Sequence, residues 1–535
     1  MSHKRRILSI IVAFLLISAT FNEHEVSAVT KAEDATKTVN SMKTVNFTNT
    51  KDSTKVLTAS KEVEIVSLSE EYFDIASGDI YINANSSGTI VKQGAGPEIK
   101  VEFPIITGST NLSTVIINAE DGATADVIFS ELSIKIPEEN ESAAVTTNGA
   151  GNVIIELDGI NKLESGCRRA GIDKCNSGSL LIKDDNSVKG ELTVIGGRGG
   201  GAGIGGGAGA SANDIIINGG IIHAQGSSAA GLGGGSDGDG ANLVINNGII
   251  YAHGNSGSGI GGGPGGNGIG ITINGGNIHA QGNSGAGIGG GSDGDGRDIT
   301  INNGDIISTS LDSGAGIGGG SGGNGINIEI NGGEINASSL DSGAGIGGGD
   351  YSFKGGDGIG IAINGGNISV NGNTLGACIG GGLGGDGVGI TINNGLINAD
   401  AVGYGAGIGG GKAEKHNDGI LHGNCNNITF SGGEIYVKSL GNNGGAPAIG
   451  PGFGKNVSCS NIHITGGIVF ATRRYRGTSI GSGEESDYAN VIISGSAEVH
   501  ATGLIKYNAK NLNPNGKIIS YTENTEMEEI FKIYK

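Results

Sequence analysis

Short runs of alternating hydrophobic and polar residues recur along the chain. In Ile271–Thr272–Ile273 the two isoleucines lie on one side of an extended backbone and the threonine lies on the other. This alternation predicts a strand with one buried side. Equivalent runs lie at residues 214–218, 242–246, 270–274, 298–302, 327–331, 360–364 and 389–393.

Each run is followed by the same sequence of elements. An Asn-Gly-Gly or Asn-Asn-Gly corner allows a sharp turn, and a second short strand such as residues 278–281 comes next. An Ala-Gly-Ile-Gly-Gly-Gly motif then completes the unit. Copies of this motif are centred on Ile204, Leu232, Ile260, Ile288, Ile317, Ile346, Ile379 and Ile408, with degenerate copies at Ile449 and Ile480.

The spacing of these copies is 28 or 29 residues, except where insertions lengthen it. Stacked coils explain this period, because strands about 4.8 Å apart bring isoleucine onto isoleucine and asparagine onto asparagine. Sequential hairpins give no reason for the period, and a left-handed helix has a shorter, hexapeptide-like repeat. We therefore predict an all-β, single-stranded, right-handed parallel β-helix, a solenoid. The insertions at residues 350–356 and 412–425 are predicted surface loops.

The chain divides by composition into five parts. Lys4, Arg5 and Arg6 precede the apolar run Ile7–Ile17, and small residues end at Ala28, which is the pattern of an export signal. An uncleaved anchor is the alternative. The predicted parts are a signal peptide (1–28), a flexible lead-in (29–71), irregular first β-helix coils (72–197), the glycine-rich repeat β-helix (198–503) and a C-terminal cap or tail (504–535).

Composition and charge restrict the partners. The sequence has 109 glycines, no tryptophan and only 4% aromatic residues, which predicts a long, narrow core. The net charge of -20 disfavours nucleic acid and anionic lipid. No later apolar run is long enough for a transmembrane segment after signal cleavage. We expect a secreted protein, and any association with a cell surface would be noncovalent.

The five cysteines carry three predictions. Cys425 and Cys459 occupy the same point of consecutive coils, so stacking brings their Cα atoms within disulfide reach. Cys167 and Cys175 are predicted to close a small loop where the array begins. Cys378 replaces a motif glycine and is predicted to be a buried free thiol. No cysteine pair has zinc-ligand spacing.

Acidic turns follow two of the triple glycines. Oxygen ligands repeated at the coil spacing suit calcium, so calcium is the candidate cofactor. Asp and Asn between glycines are also ordinary turn residues, and this alternative remains open. The candidate calcium ligands are Asp237, Asp239, Asp293 and Asp295.

Planar side chains occupy the outward positions of the second strand. Their ring faces could cover sugar faces, and their polar groups could bond sugar hydroxyls. A solvated sheet face is the alternative. The candidate ligand-binding residues are His223, Gln225, Tyr251, His253, His279 and Gln281. The same positions of later coils hold Tyr436 and Lys438, Phe470 and Thr472, and His500 and Thr502.

Catalysis is disfavoured by the repeat itself. Parallel β-helices often host pectin-degrading enzymes, which need clustered carboxylates and a basic residue. Arg297 is the only arginine between Arg198 and Arg473, and His223 and His279 recur as repeat members. We therefore predict that the protein is not an enzyme, although the irregular first coils are less well excluded.

The glycine-rich array also supports a resemblance. Residues 284–291 (SGAGIGGG) and residues 270–276 (GITINGG) resemble glycine-rich repeat proteins secreted by Gram-positive, especially clostridial, bacteria. The stretch 152–172 resembles the carbohydrate-binding, calcium-dependent β-helix domain of clostridial surface proteins. The likeness covers most of residues 72–503 and implies noncatalytic binding of pectic or cellulosic polymers. We therefore predict a secreted or cell-surface protein that binds polysaccharide or cell-surface glycan without cleaving it. The alternatives are an adhesin or structural envelope protein, and a polysaccharide lyase or hydrolase.

Overall fold

The computed structural model describes residues 70–351, 354–372, 375–416, 419–441, 445–474, 478–482, 488–502, 504–506, 510–511 and 517–521. The predicted signal peptide lies outside the described residues, as do nearly all of the predicted lead-in and most of the predicted cap. Apart from the 3-10 turn Ile75–Ser77, the regular elements of the described chain are strands. Within this part of the chain no helix is long and apolar enough to span a membrane.

The described chain winds into a parallel β-helix of about 14 turns, which confirms the predicted fold. The right-handed sense stays a prediction. Each coil contributes one strand to each of three stacks, which we call sheet 1, sheet 2 and sheet 3. Gly296–Ile301, Asp305–Ser310 and Ile317–Gly318 form one such coil. The middle and C-terminal coils keep this order, with their strands paired in parallel to the coils before and after.

The bounds of the strands follow the repeat. Sheet 1 contains Leu180–Lys183, Ala212–Ile217, Gly240–Ile245, Gly268–Ile269, Thr272–Ile273, Gly296–Ile301, Gly325–Ile330, Gly358–Ile363, Gly387–Val388, Thr391–Ile392, Cys425–Asn426, Ile428–Phe430, Ser458–Ile464, Tyr488–Ile493 and Lys510–Asn511. Sheet 2 contains Gly190–Ile195, Ile221–Gln225, Ile249–His253, Asn277–Gly282, Asp305–Ser310, Glu334–Ser339, Asn367–Gly372, Leu396–Ala401, Glu434–Ser439, Ile468–Arg473, Glu498–Thr502 and Lys517–Tyr521. Sheet 3 contains Ile80–Asn85, Val115–Ala119, Val145–Gly149, Ile172–Lys174, Ile204–Gly205, Leu232–Gly233, Ile260–Gly261, Ile288–Gly289, Ile317–Gly318, Ile346–Gly347, Ile379–Gly380, Ile408–Gly409, Ile449–Gly450, Thr478–Gly481 and Leu504–Lys506.

The first coils differ from the repeat. Their strands on sheets 1 and 2 include Glu70–Asp74, Phe103–Thr110, Thr124–Lys135 and Asn152–Glu164, and the last two run without a break across both sheets. Gly88–Gln93 pairs antiparallel with Ile80–Asn85, and Glu98–Lys100 pairs with Gly88–Gln93. Gly88–Gln93 therefore lies between the first sheet 3 strand and Glu98–Lys100.

The two insertions form hairpins. Asp350–Tyr351 pairs antiparallel with Lys354–Gly355, and Glu414–His416 pairs antiparallel with Gly419–Leu421. Both leave the coil after its sheet 3 strand, so the main sheets continue past them in register.

Aligned aliphatic side chains fill the interior. Ile288 pairs with Ile317 and Ile317 pairs with Ile346 in sheet 3, and all three are fully buried. In sheet 1 Ile271 and Ile273 are fully buried, while Thr272 between them is partly exposed. The predicted stacking of isoleucine on isoleucine is confirmed. Burial of one such side chain stabilises the fold by about 1.5–3 kcal/mol.

The glycine that follows the isoleucine of each Ala-Gly-Ile-Gly-Gly-Gly motif has a steric cause. Gly289 has φ of 135°, and a Cβ built there would lie 1.9 Å from the carbonyl oxygen of Gly318 in the next coil. Only glycine avoids this clash while allowing that backbone conformation. The motif glycines therefore permit close stacking of the coils.

Asparagines at the end of sheet 1 form a ladder. Asn274 Nδ2 donates to Asn246 Oδ1 at 2.7 Å, and Asn302 Nδ2 donates to Asn274 Oδ1 at 2.7 Å. The ladder continues through Asn331 and Asn364. Each amide in this run is both donor and acceptor, as in stacked amide ladders of other parallel sheets.

The cysteine predictions have different outcomes. Cys425 and Cys459 are register partners with Cα atoms 4.4 Å apart, and they form a disulfide. Cys378 is a free, fully buried thiol. The predicted bridge between Cys167 and Cys175 is wrong, because both are free. The extended strand Ile172–Lys174 lies between them, and the Cys175 thiol interacts with Asp173 instead.

Candidate functional site

A shallow groove of about 370 Å³ lies on the outer side of sheet 2. Three successive strands form its floor: Ile221–Gln225, Ile249–His253 and Asn277–Gly282. All six candidate ligand-binding residues line it. The complete lining is Thr193, Ile195, His223, Ala224, Gln225, Tyr251, Ala252, His253, His279, Ala280, Gln281, Ile307 and Thr309.

The parallel register sorts these side chains into two rows. His223 pairs with Tyr251 and Tyr251 pairs with His279, and we call these three residues the aromatic row. Two positions further along each strand lie Gln225, His253 and Gln281, which we call the amide row. The alanines between the rows point inward and are buried. Repetition at one position of the coil therefore brings the six predicted residues together.

The rings of the aromatic row stack on one another. The centroids of His223 and Tyr251 are 4.7 Å apart with the ring planes 5° from parallel, and those of Tyr251 and His279 are 5.1 Å apart at 25°. Both faces of the Tyr251 ring are therefore covered by imidazoles. The prediction that ring faces lie against sugar faces is wrong for the middle of the row, because the groove receives ring edges.

The edges that face the groove are polar and neutral. None of the described residues that line it is Asp, Glu, Lys or Arg, although the chain carries a net charge of -20. On the flanking strands Glu191 and Asp305 are the nearest charged residues of sheet 2, each two positions before a lining residue. Burial lowers the pKa of His253, which favours its neutral imidazole.

The later members of the same column are placed differently. Tyr436, Phe470 and His500 also stack, with centroids 4.8 Å and 4.6 Å apart, and we call them the second aromatic stack. They are 7%, 0% and 1% exposed. The prediction that planar side chains form an exposed face is therefore wrong for Tyr436, Phe470 and His500. Thr472 and Thr502 beside them are also buried.

The four acidic turn residues do not come together. Asp239 Oδ1 accepts the backbone N–H of Asn267 at 2.7 Å, and Asn267 Oδ1 accepts that of Asp295 at 2.9 Å. Asp237 and Asp293 are exposed and are likewise separated by an intervening coil, which corresponds to about 9.6 Å.

The two acidic turns are thus separated by one coil, and calcium binding at these four residues stays a prediction. Among the described residues, no group of three or more His, Cys, Asp and Glu side chains could hold a metal ion. Asp239 and Asp295 instead cap the amide of the next coil. Capping of successive backbone amides gives Asp and Asn a structural role at this turn.

Sequence reasoning missed the ends of the groove. Thr193 and Ile195 precede the aromatic and amide rows by one coil, and Ile307 and Thr309 follow them by one coil. Extending the 28-residue spacing in both directions would have found Ile307 and Thr309. Thr193 lies before the first glycine motif, where the spacing changes, so the repeat gives no signal for it.

A buried carboxylate in the first coils lies apart from the groove. Glu156 Oε2 is 3.0 Å from Lys183 Nζ, and Glu156 Oε1 accepts backbone N–H groups of Asp185 and Asn186. Burial raises the pKa of Glu156 to about 7. These contacts hold the loop after Leu180–Lys183 against sheet 1, which is a structural role.

One family model matches the chain. The family is described as Beta helix repeat, and the matched residues are 243–264, 271–292, 299–321, 328–350 and 390–412. The match and the fold show that the chain is a β-helix repeat protein. The first two matched segments include Tyr251, His253, His279 and Gln281 of the groove.

Comparison with curated proteins found no match. Comparison with solved structures found no match either.

Proposed function

We propose that this protein is secreted, binds polysaccharide through the groove on sheet 2 and does not cleave it. The observation that carries the proposal is the pair of parallel rows, aromatic and amide, on three successive coils. Between them they present imidazole, phenol and carboxamide groups, which donate and accept hydrogen bonds. A sugar chain carries hydroxyl groups of the same dual character.

The neutrality of the groove also supports this proposal. A neutral site on an acidic protein avoids the desolvation of charges, and an open groove accepts a polymer along its length. The outer faces of His223 and His279 lie at the ends of the aromatic row, toward Thr193 and Ile307. Thr193 and Ile307 are the register partners on those two sides, so the row presents ring edges to a ligand instead of ring faces.

The residues in the groove support binding without cleavage. Hydrolysis of a glycosidic bond commonly uses a pair of carboxylates on either side of that bond. The described lining residues contain none, and Glu191 and Asp305 are separated by the three coils that carry the rows.

A binding assay with matched variants tests the proposal. The purified protein is incubated with insoluble cellulose and pectin and applied to a glycan array. The double substitution Tyr251→Ala with His253→Ala is expected to lower retention at least about fivefold, since two or three hydrogen bonds are lost at about 0.5–1.5 kcal/mol each. Tyr72→Ala is the control, because Tyr72 is 65% exposed and lies outside the groove.

Two results would contradict the proposal. Retention by no glycan would favour the alternative of an adhesin or structural envelope protein. Release of reducing sugar or of unsaturated product from a bound polymer would favour the lyase or hydrolase alternative.

A further inference from the structure

We infer that the groove binds an extended linear glycan parallel to the helix axis, with one sugar residue on each coil across five coils. This inference rests on the proposed function and specifies the shape of the ligand. It depends on three features of the groove: the spacing of the rows, the orientation of the rings and the number of coils that line it.

The spacing of the aromatic row suits an extended glycan. Its ring centroids are 4.7 Å and 5.1 Å apart along the helix axis. One residue of an extended β-1,4-linked pyranose chain advances by a closely similar distance, so successive sugars lie over successive coils. An extended polypeptide advances about 3.3 Å per residue and loses this register by the next coil.

The separation of the rows suits the width of a sugar ring. Members of the two rows are two residues apart on one strand, which corresponds to about 6.6 Å. On the middle coil Tyr251 and His253 lie on either side of the buried Ala252. A pyranose ring lying over this alanine would have hydroxyl groups on both sides, one toward each row.

The ring orientation decides how each sugar is recognised. Because the rings stack on each other, the covered faces are unavailable and each coil contributes polar edges. When ring edges recognise the ligand, each coil adds a similar and separate amount to the binding free energy. No single ring face then dominates the affinity. Affinity should then increase stepwise with the number of sugars.

The number of coils that line the groove sets the number of sugars that can add to the affinity. They come from five consecutive sheet 2 strands, beginning with Gly190–Ile195 and ending with Asp305–Ser310. The three central coils carry both rows. The two outer coils carry the smaller pairs Thr193 with Ile195 and Ile307 with Thr309, so the outer sugars should contribute less.

Calorimetry with cello-oligosaccharides of increasing length tests the inference. We expect affinity to rise about threefold or more for each residue up to the trisaccharide, more weakly up to the pentasaccharide, and by less than about twofold beyond it. Affinity that is already complete for a mono- or disaccharide, while the polymer still binds, would overturn the inference and leave the proposed function standing. Failure to bind any glycan would overturn both.

A variant that strengthens one outer coil provides a second test. The double substitution Ile307→Tyr with Thr309→Gln extends both rows by one coil and should raise affinity for the pentasaccharide at least threefold, with little change for the disaccharide. The control is Ser369→Tyr with Asn371→Gln, at the same positions two coils further on. An equal gain from the control variant would contradict the assignment of five coils.

Discussion

The aromatic row and the second aromatic stack occupy the same column of sheet 2, yet they have opposite exposures. Their centroid distances agree within half an ångström. Tyr251 in the middle of the aromatic row is 41% exposed, whereas Phe470 in the middle of the second stack is fully buried. Register alone therefore fixes the stacking geometry, and it does not decide which stack can meet a ligand.

The polar edges of the two stacks also differ. Tyr436 Oη donates to Glu434, and His500 Nε2 lies 3.0 Å from Glu498 Oε1. The position two residues before Tyr251 holds Ile249, which cannot bond the phenol. Tyr436 and His500 thus each contact a carboxylate of their own strand, whereas Tyr251 has no carboxylate at the equivalent position.

The largest expected difference between the stacks concerns stability. Phe470→Ala should lower the free energy of unfolding by about 3–5 kcal/mol, because it opens a cavity at a fully buried position. Tyr251→Ala should lower it by less than about 1 kcal/mol, since the phenol is partly solvated. Urea unfolding followed by far-UV circular dichroism measures both. Equal losses would remove the distinction between the stacks.

Substitutions in the coil interior beneath the two stacks should lower the free energy of unfolding by similar amounts. Ile250 and Ile435 point inward beside Tyr251 and Tyr436 and are both buried. Ile250→Ala and Ile435→Ala should each cost about 2–5 kcal/mol. Urea unfolding again measures the free energy of unfolding that each variant loses, and the two losses are then compared. A much smaller loss for Ile250→Ala would mean that the groove region is loosely packed throughout.

The disulfide should stabilise the region of the second stack selectively. Cys425 and Cys459 lie 34 residues apart on the two coils that carry Tyr436 and Phe470. Reduction should lower stability there by about 2–4 kcal/mol through the larger entropy of the opened chain. Hydrogen exchange should then speed up in residues 425–473 and stay unchanged in residues 221–282. Uniform acceleration along the helix would contradict this local effect.

The smallest expected effect is a pH dependence in the groove. Burial lowers the pKa of His253 from 6.5, so below pH 6.5 the unfolded chain takes up a proton more readily than the folded one. The stability contributed by neutral His253 is therefore present above pH 6.5 and decreases as the pH falls toward the folded-state pKa. NMR titration should give a midpoint below 6.5, and His253→Gln should flatten the pH profile. A midpoint above pH 6.5 would contradict this prediction, because His253 would then stabilise the fold at low pH instead of at high pH.

Much of the architecture could be predicted from the sequence because the repeat is local information copied many times. Stacking of the coils turns three local features into the predicted contacts. Ile271 and Ile273 are buried, the asparagines at the end of sheet 1 strands form a ladder, and Cys425 and Cys459 form a disulfide. Residues that occupy the same position in consecutive repeats are in contact once the coils are stacked. The six groove residues were found in the same way.

Other features depend on surroundings that the repeat does not encode. The spacing of Cys167 and Cys175 suits a small loop, but the strand between them is extended and paired on both sides. The sequence likewise gives no sign that Asp239 Oδ1 accepts the backbone N–H of Asn267 in the next coil.

The sequence by itself determined the coil, its period and the residues that align along the helix, because each depends on side-chain alternation and on turns that only certain residues allow. The tertiary structure alone decided that the aromatic row is exposed at its edges and that the second aromatic stack is buried. Exposure is a property of everything packed around a side chain, and ring orientation is fixed only when neighbouring coils are in place. Those two facts make the groove the candidate site.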